Sequence, residues 1–343
     1  MDYFFNIVLI ISIVILITAL AFILRNNKIN LTPLDAVITY VDFDDPEFKK
    51  EFKKYKPNKN SSIEASKVYR FKSNDEIKYN IISINKYANF FDNIYLVVSS
   101  KNQIPKNLPP SKIPLKIVLH EDFFINKSHL PTFNSTSIET NLHNIKGLSR
   151  FYVYFNDDCM FGNYVTKHDF LVLKNKKVKP LINLEEYVLS KRGIPNNKEL
   201  GFYSSWKNTN RMLDTIFPST SHHKRRTIKH IPQIQDKLTH KKLRNLFPKE
   251  FEITSSSKFR NTKIHNTSAG LAEYYEIYRN AGVNIKNDDY IQAYISNNTL
   301  RNAMFFNRIF YKRPKFINIQ STITKSEIAL DQIKLFFKSY YSF

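Results

Sequence analysis

Cysteine and glycine are scarce in this chain, and both shortages exclude something. One cysteine, Cys159, in 343 residues leaves no disulfide framework and no structural zinc site built from cysteine pairs. The six glycines, at 147, 162, 193, 201, 270 and 282, are too far apart to make GxGxxG or the glycine-rich phosphate loop, in which backbone N–H groups cradle a phosphate. A nucleotide bound here is held by other means, namely Lys, Arg and His side chains or a divalent cation fixed by carboxylates. Acidic residues are outnumbered 30 to 52 by Lys and Arg, for a net charge of +22. The lysines are scattered, with no basic tail and no basic–aromatic repeat, so the charge reads as a solvated surface and nucleic acid is not an expected partner. With 42% hydrophobic and 14% aromatic residues the chain can bury a core and is not disordered.

One long apolar run is present. Tyr3 to Leu24 carries no charge, with Asn6 its most polar member. At ~1.5 Å per residue it is long enough to cross ~30 Å of hydrocarbon. We read residues 1–30 as a transmembrane anchor and connector, with the lipid bilayer as a partner, and 31–343 as a catalytic domain. The alternative, a cleaved signal peptide, fits less well, because the run exceeds a usual signal core and no basic segment precedes it. Arg25 and Lys28 follow the span but are too few to fix the side of the membrane on which the domain lies.

Beyond the connector the pattern is α/β. Ala36 to Val41 (AVITYV) is an apolar, β-branched strand that runs into Asp42, Asp44 and Asp45. Ser73 and Glu76 form a capping-box pattern before Ile77, Ile81, Ile84 and Ala88 at helical spacing. Ile94–Val98 and Leu115–Leu119 read as buried strands, the second ending in His120, Glu121 and Asp122. Ile138, Leu142 and Ile145 mark a helix face, and Phe151–Phe155 (FYVYF) is a strand ending in Asn156, Asp157 and Asp158. This alternation predicts a Rossmann-like, mostly parallel sheet with flanking helices, and in such sheets ligands bind beyond the carboxyl ends of the strands. Asp157 and Asp158 are suitable hard-oxygen ligands for Mg²⁺, or Mn²⁺ in its place. The DxD spacing of Asp42 and Asp44 is a weaker signal of the same kind.

A basic constellation runs from His222 through Arg225, Arg226 and Lys229 to His230. Pro232 suits the first turn of a helix continuing through Ile234, Leu238, Leu243, Leu246 and Phe247, which would put His230 at an anion-attracting helix N-terminus. Arg260 adds a cation further on. We therefore divide the domain into a half that carries the strand-end acids, 31–180, and a helical, basic half, 181–343; the resemblance described next implies that the first is the nucleotide-sugar and metal half.

At this point the residues resemble a family. NDEIKYNIISINKYA (74–88), IYLVVSSKNQIP (94–105), HEDFF (120–124), HLPTFNSTSIETNLHNIKGLS (129–149) and YFNDDCMFG (154–162) resemble the Stealth proteins. That family includes bacterial capsular-polysaccharide phosphotransferases and the enzyme that places N-acetylglucosamine-1-phosphate on lysosomal glycoproteins. LDAVITYVDFDDP (34–46) resembles the family's first region, and residues 230–260 its third.

The resemblance implies transfer of a hexose- or N-acetylhexosamine-1-phosphate from a nucleotide diphosphate sugar to a hydroxyl of a glycan or polysaccharide acceptor, releasing nucleoside monophosphate. On that basis Asp157 and Asp158 hold the metal, and His230 transfers the proton. Asp42, Arg70, Asn134, Arg226 and Arg260 contact substrate. Some positions depart from the family pattern. The fourth region, KFINIQS (315–321), has Gln320 and Ser321 where acids are expected, and Ile82 stands where an Arg usually precedes Ser83. Two other readings stay open: a metal-dependent glycosyltransferase using Asp42 and Asp44 that releases nucleoside diphosphate, and an inactive relative that only binds a nucleotide sugar or glycan.

Overall fold

The computed structural model describes residues 2–55, 57, 61–71, 73–323 and 326–342. Its helices are α1 (Asp2–Asn30), α2 (Pro46–Lys54), α3 (Glu76–Tyr87), α4 (His120–Phe123), α5 (Ser135–Asn141), α6 (Gly201–Ile216), α7 (Lys237–Leu246), α8 (Pro248–Ser256), α9 (Glu273–Tyr278), α10 (Thr299–Lys312) and α11 (Glu327–Tyr341). The strands are β1 (Leu34–Thr39), β2 (Ile94–Val98), β3 (Leu115–Leu119), β4 (Phe151–Asn156), β5 (Cys159–Phe161), β6 (Leu171–Lys174), β7 (Lys177–Leu189), β8 (Arg226–Ile228), β9 (Gln233–Asp236), β10 (Val283–Ile285), β11 (Tyr290–Ile295) and β12 (Phe316–Ser321).

The central sheet has the order β3-β2-β1-β4-β9, and only β9 runs antiparallel. Thr39 is level with both Val97 and Asn156, so the strands end together. Alternate residues of β1, β2 and β4 feed opposite faces, as strand geometry requires. Ala36, Ile38, Leu96, Val153 and Phe155 pack with Ile77, Ile81 and Ile84 of α3. Val37, Tyr95, Val97, Tyr152 and Tyr154 pack with Leu142 and Ile145 on the other side. The mostly parallel α/β architecture read from the pattern is therefore present. A second sheet has the order β10-β7-β6, with β8 beside β7, and a third has β11-β12-β5.

Several local expectations shift. Residues 181–343 are not simply a helical half: they supply β9 to the central sheet and carry further strands of their own. The helix expected to start near Pro232 begins at Lys237, capped by the Asp236 carboxylate, which accepts from the Leu238 N–H. The residues between, Gln233–Asp236, form β9 because their N–H and C=O groups find β4, from Gln233 opposite Tyr154 to Asp236 opposite Phe151. His230 thus sits in the β8–β9 loop and not at a helix N-terminus. The Ser73 box is also displaced. Asp75 takes left-handed backbone (φ +65°) as N-cap, and the Glu76 carboxylate reaches back to the Asn74 backbone N–H, the Asn74 amide and the Ser73 hydroxyl.

α1 is long and apolar enough to cross a membrane, Asn6–Asn30 having a mean hydropathy of 3.3 over its most apolar window. Its end is docked on the domain. Ile29 is buried, and the Lys167 ammonium donates to the carbonyls of Asn30 (2.9 Å) and Thr32 (2.7 Å).

Candidate active site

Each parallel strand of the central sheet delivers residues to one cleft of about 680 Å³. Thr39 and Tyr40 come from the end of β1, Ser99 follows β2, His120 follows β3, and Asn156, Asp157 and Asp158 close β4. Strand ends in register produce this convergence. The third sheet adds Gln292 and Tyr294 from β11 and Gln320 and Ser321 from β12. Arg70 and Asn74 enter from before α3, Glu76 from its first turn, His230 from the β8–β9 loop, and Arg260 from beyond α8.

The Asn156–Cys159 turn is pinned from two sides. The Asn80 amide donates to the carbonyls of Asn156 (3.1 Å) and Cys159 (2.7 Å), while the Ile319 N–H donates to the Asp158 carbonyl (2.9 Å). A turn so held fixes where its carboxylates point. His230 Nε2 lies 3.4 Å from Asp158 Oδ1 and 3.3 Å from Asn156 Nδ2. The Asn156 side-chain oxygen in turn accepts from the Tyr154 hydroxyl at 2.7 Å. Ligand atoms of Asp158, Cys159 and His230 all fall within 4.8 Å of one another.

The electrostatics follow from burial and crowding. Burial, then the nearby Asp158 and Glu76 carboxylates, push the Asp157 pKa well above the usual value. Burial likewise raises Glu76, against the Asn74 hydrogen bonds that oppose it. Burial alone would lower His230, but the Cys159 sulfur and the Asp158 carboxylate reverse the sign and hold it well above its ordinary value. Burial pushes the Cys159 thiol up to about 11, so at neutral pH it is an uncharged thiol. Burial takes the His120 imidazole down to about 3, making it a neutral wall of the cleft.

Of the residues singled out from the sequence, Asp157, Asp158, His230, Arg70 and Arg260 meet in the cleft. Three do not line it. The Asn134 side chain is the α5 cap, accepting from the Thr136 N–H and donating to the Ser257 carbonyl, and it is wholly buried. Arg226 is exposed on β8, its backbone bracketed by the Tyr274 hydroxyl. Asp42 turns back on its own loop, accepting from the Asp44 N–H, while Gln103 holds its backbone.

Glu139 was missed. It lies in a smaller adjoining chamber of about 110 Å³ with His230, Arg260, Gln233 and Tyr154. Burial raises its carboxyl to about 6, with Arg260 and then His230 pulling the other way. The only sequence signal was an acid beside Ile138 in the densest matching block. Glu76 was noticed as a cap and not as a cleft acid, and the structure gives it both places.

Residues 70–179 match the family description Stealth protein CR2, conserved region 2, and residues 229–268 match Stealth protein CR3, conserved region 3. An exopolysaccharide phosphotransferase of Streptomyces coelicolor is 29% identical over 319 residues, 91% of this chain and 50% of that one. A capsular polysaccharide phosphotransferase of Streptococcus thermophilus is 38% identical over 156 residues, 45% of this chain and 63% of that one. The human N-acetylglucosamine-1-phosphotransferase subunits alpha/beta are 45% identical over 101 residues, 29% of this chain and 8% of that one. The chain spans half or less of the length of the Streptomyces relatives it matches. Region 2 brings Arg70, Glu76, Asp157 and Asp158 to the cleft and region 3 brings His230 and Arg260, so the chain carries conserved regions 2 and 3 of the Stealth family and the two build one site.

Proposed function

We propose that this chain moves a sugar-1-phosphate from a nucleotide diphosphate sugar to a hydroxyl of a polysaccharide acceptor and releases nucleoside monophosphate. One observation carries the reading. In a chain with no glycine cradle, a carboxylate cluster at the strand ends (Asp157, Asp158, Glu76) and three basic side chains (His230, Arg260, Arg70) line one cleft, with His230 3.4 Å from Asp158. That arrangement suits a diphosphate held between a divalent cation and basic side chains. The relatives named as phosphotransferases of exopolysaccharide and capsular polysaccharide support the same class of reaction.

The donor set fits Mg²⁺ or Mn²⁺. Asp157 and Asp158 offer hard oxygens, and their crowding with Glu76, which raises the Asp157 pKa, is relieved by positive charge. Bound there, such an ion neutralises charge on the phosphoryl oxygens. Arg260, with one guanidinium nitrogen on the Ser135 hydroxyl at 2.7 Å, is positioned to hold a phosphate oxygen with the rest. Paired with Asp158, His230 is an imidazolium at neutral pH and itself a phosphate ligand. To accept the acceptor hydroxyl's proton at Nε2 it must first lose the proton it holds there, and the Asp158 carboxylate 3.4 Å away is the adjacent acceptor for it. α1 serves as the membrane anchor of this enzyme.

The test is product analysis. The full chain in detergent is incubated with uridine, guanosine and cytidine diphosphate sugars, a polysaccharide acceptor and Mg²⁺ or Mn²⁺. Nucleoside monophosphate is the expected product. Nucleoside diphosphate would instead mark a glycosyltransferase, and donor binding with neither product would mark an inactive relative.

A further inference from the structure

We propose that the tip of the β6–β7 hairpin is a second bilayer contact, binding anionic phospholipid headgroups beside the end of α1; this rests on reading α1 as a membrane span. The hairpin closes at Lys174 opposite Lys177, leaving a two-residue turn of Asn175 and Lys176. Both turn residues have left-handed backbone, φ +53° and +60°, as in a type I′ turn. Glycine is the ordinary choice at the second position, and a lysine there carries the steric cost of its Cβ. Lys174, Lys176 and Lys177 are exposed, and none pairs with a carboxylate among the described residues. These put three cations in four residues at the hairpin tip.

Position supplies the partner. The Lys28 ammonium donates to the Lys176 carbonyl at 2.8 Å, fixing the turn beside the last turn of α1. The apolar run stops at Leu24, so Lys28 lies about 6 Å further along the helix axis at ~1.5 Å per residue. Each headgroup layer adds about 5–8 Å outside the hydrocarbon, so the turn is held at headgroup depth. The Ile29 and Lys167 contacts at the same end keep the helix from swinging away. Lysines placed there are attracted by anionic lipid, each adding to the binding, and the attraction is screened by salt.

The full chain carrying Asn175→Cys is labelled with a polarity-sensitive fluorophore, Cys159 being buried, and reconstituted into nanodiscs. Discs of phosphatidylcholine alone are compared with discs containing phosphatidylglycerol. In anionic discs we expect roughly threefold or greater protection of the label from an aqueous quencher, lost on adding salt and in the Lys174→Gln/Lys176→Gln/Lys177→Gln variant. A Tyr187→Cys label, on a residue that is 85% exposed beyond the cleft, stays quenchable in both. Equal quenching of the Asn175→Cys label in both discs, with the chain resisting alkaline extraction, overturns the hairpin contact and leaves the anchor standing. Extraction by alkali overturns the anchor and the hairpin contact with it.

Discussion

At the scale of single residues, chemistry and support separate cleanly. His230→Ala removes the group proposed to transfer the proton and to hold phosphate, and on that reading turnover should fall by ~10²-fold or more with melting little changed. Turnover within a few-fold of wild type would remove His230 from its assigned role. Asn134→Ala should do the reverse. It deletes the α5 cap, costing about 1–2 kcal/mol in urea unfolding, while donor KM stays as it was. Asp157 and Asp158 were legible because strand-terminal acids in an α/β pattern announce a site. Asn134 and Arg226 were misassigned because neither a local cap nor an outward-facing strand position shows in a string of letters. Glu139 escaped notice because its partners, His230 and Arg260, lie about a hundred residues away along the chain.

Acid sensitivity is argued at this scale too. His240 is fully buried, and burial lowers its pKa to about 4. Its Nε2 contacts the Gln235 side-chain oxygen at 2.7 Å, and Gln235 donates to Glu273 at 2.9 Å. The unfolded chain binds a proton at this histidine near pH 6.5. The neutral imidazole therefore contributes stability that is intact above pH 6.5 and lost as pH falls toward 4, about 2–3 kcal/mol at most. Glu273, raised to about 7 by burial, runs the opposite way, its contribution fading as pH rises from its unfolded value near 4.5. The two oppose each other in one window, so the wild-type curve alone does not isolate either. His240→Gln should lose less stability than wild type between pH 7 and 4.5 in urea titrations, whereas parallel losses would contradict the assignment.

At the scale of elements, apolar strands announced themselves and polar ones did not. β2 and β4 were read nearly to the residue and β1 with a shift of two residues at each end, because each is a run buried on both faces. β9 has one aliphatic residue, Ile234, and only its pairing with β4 makes it a strand. Its apparent helical spacing came from Leu238 and Leu243, which belong to α7. β12 shows the value of an alignment that periodicity could not supply. Its last residues, Gln320 and Ser321, reach the cleft, at the place where the family resemblance leads one to expect acids. Ser321→Asp should tighten Mn²⁺ binding and raise turnover, and no change in either would sink the placement of the fourth region. Ile82, by contrast, packs against the α3 side of the core, outside the cleft.

At the scale of the whole molecule, the fold puts distance between the anchor and the chemistry. β1 starts at Leu34, just past the end of α1, and reaches the cleft at Thr39, roughly 17 Å away at ~3.3 Å per residue. On the proposed reading the acceptor hydroxyl is met a strand length from the end of the apolar helix. Sheet order and the joining of residues 31–180 to 181–343 through β9 were beyond the sequence, because strand neighbours are chosen by packing between segments far apart in the chain. The account stands on a cation seated at Asp157 and Asp158 that completes the grip on a diphosphate. Its most direct measurement is Mn²⁺ titration by electron paramagnetic resonance, on the full chain with a nucleotide diphosphate sugar that the product assay shows to bind. The account predicts one Mn²⁺ taken up with the donor, and affinity weakened at least about tenfold in a folded Asp157→Asn variant. Equal affinity in wild type and variant would contradict it.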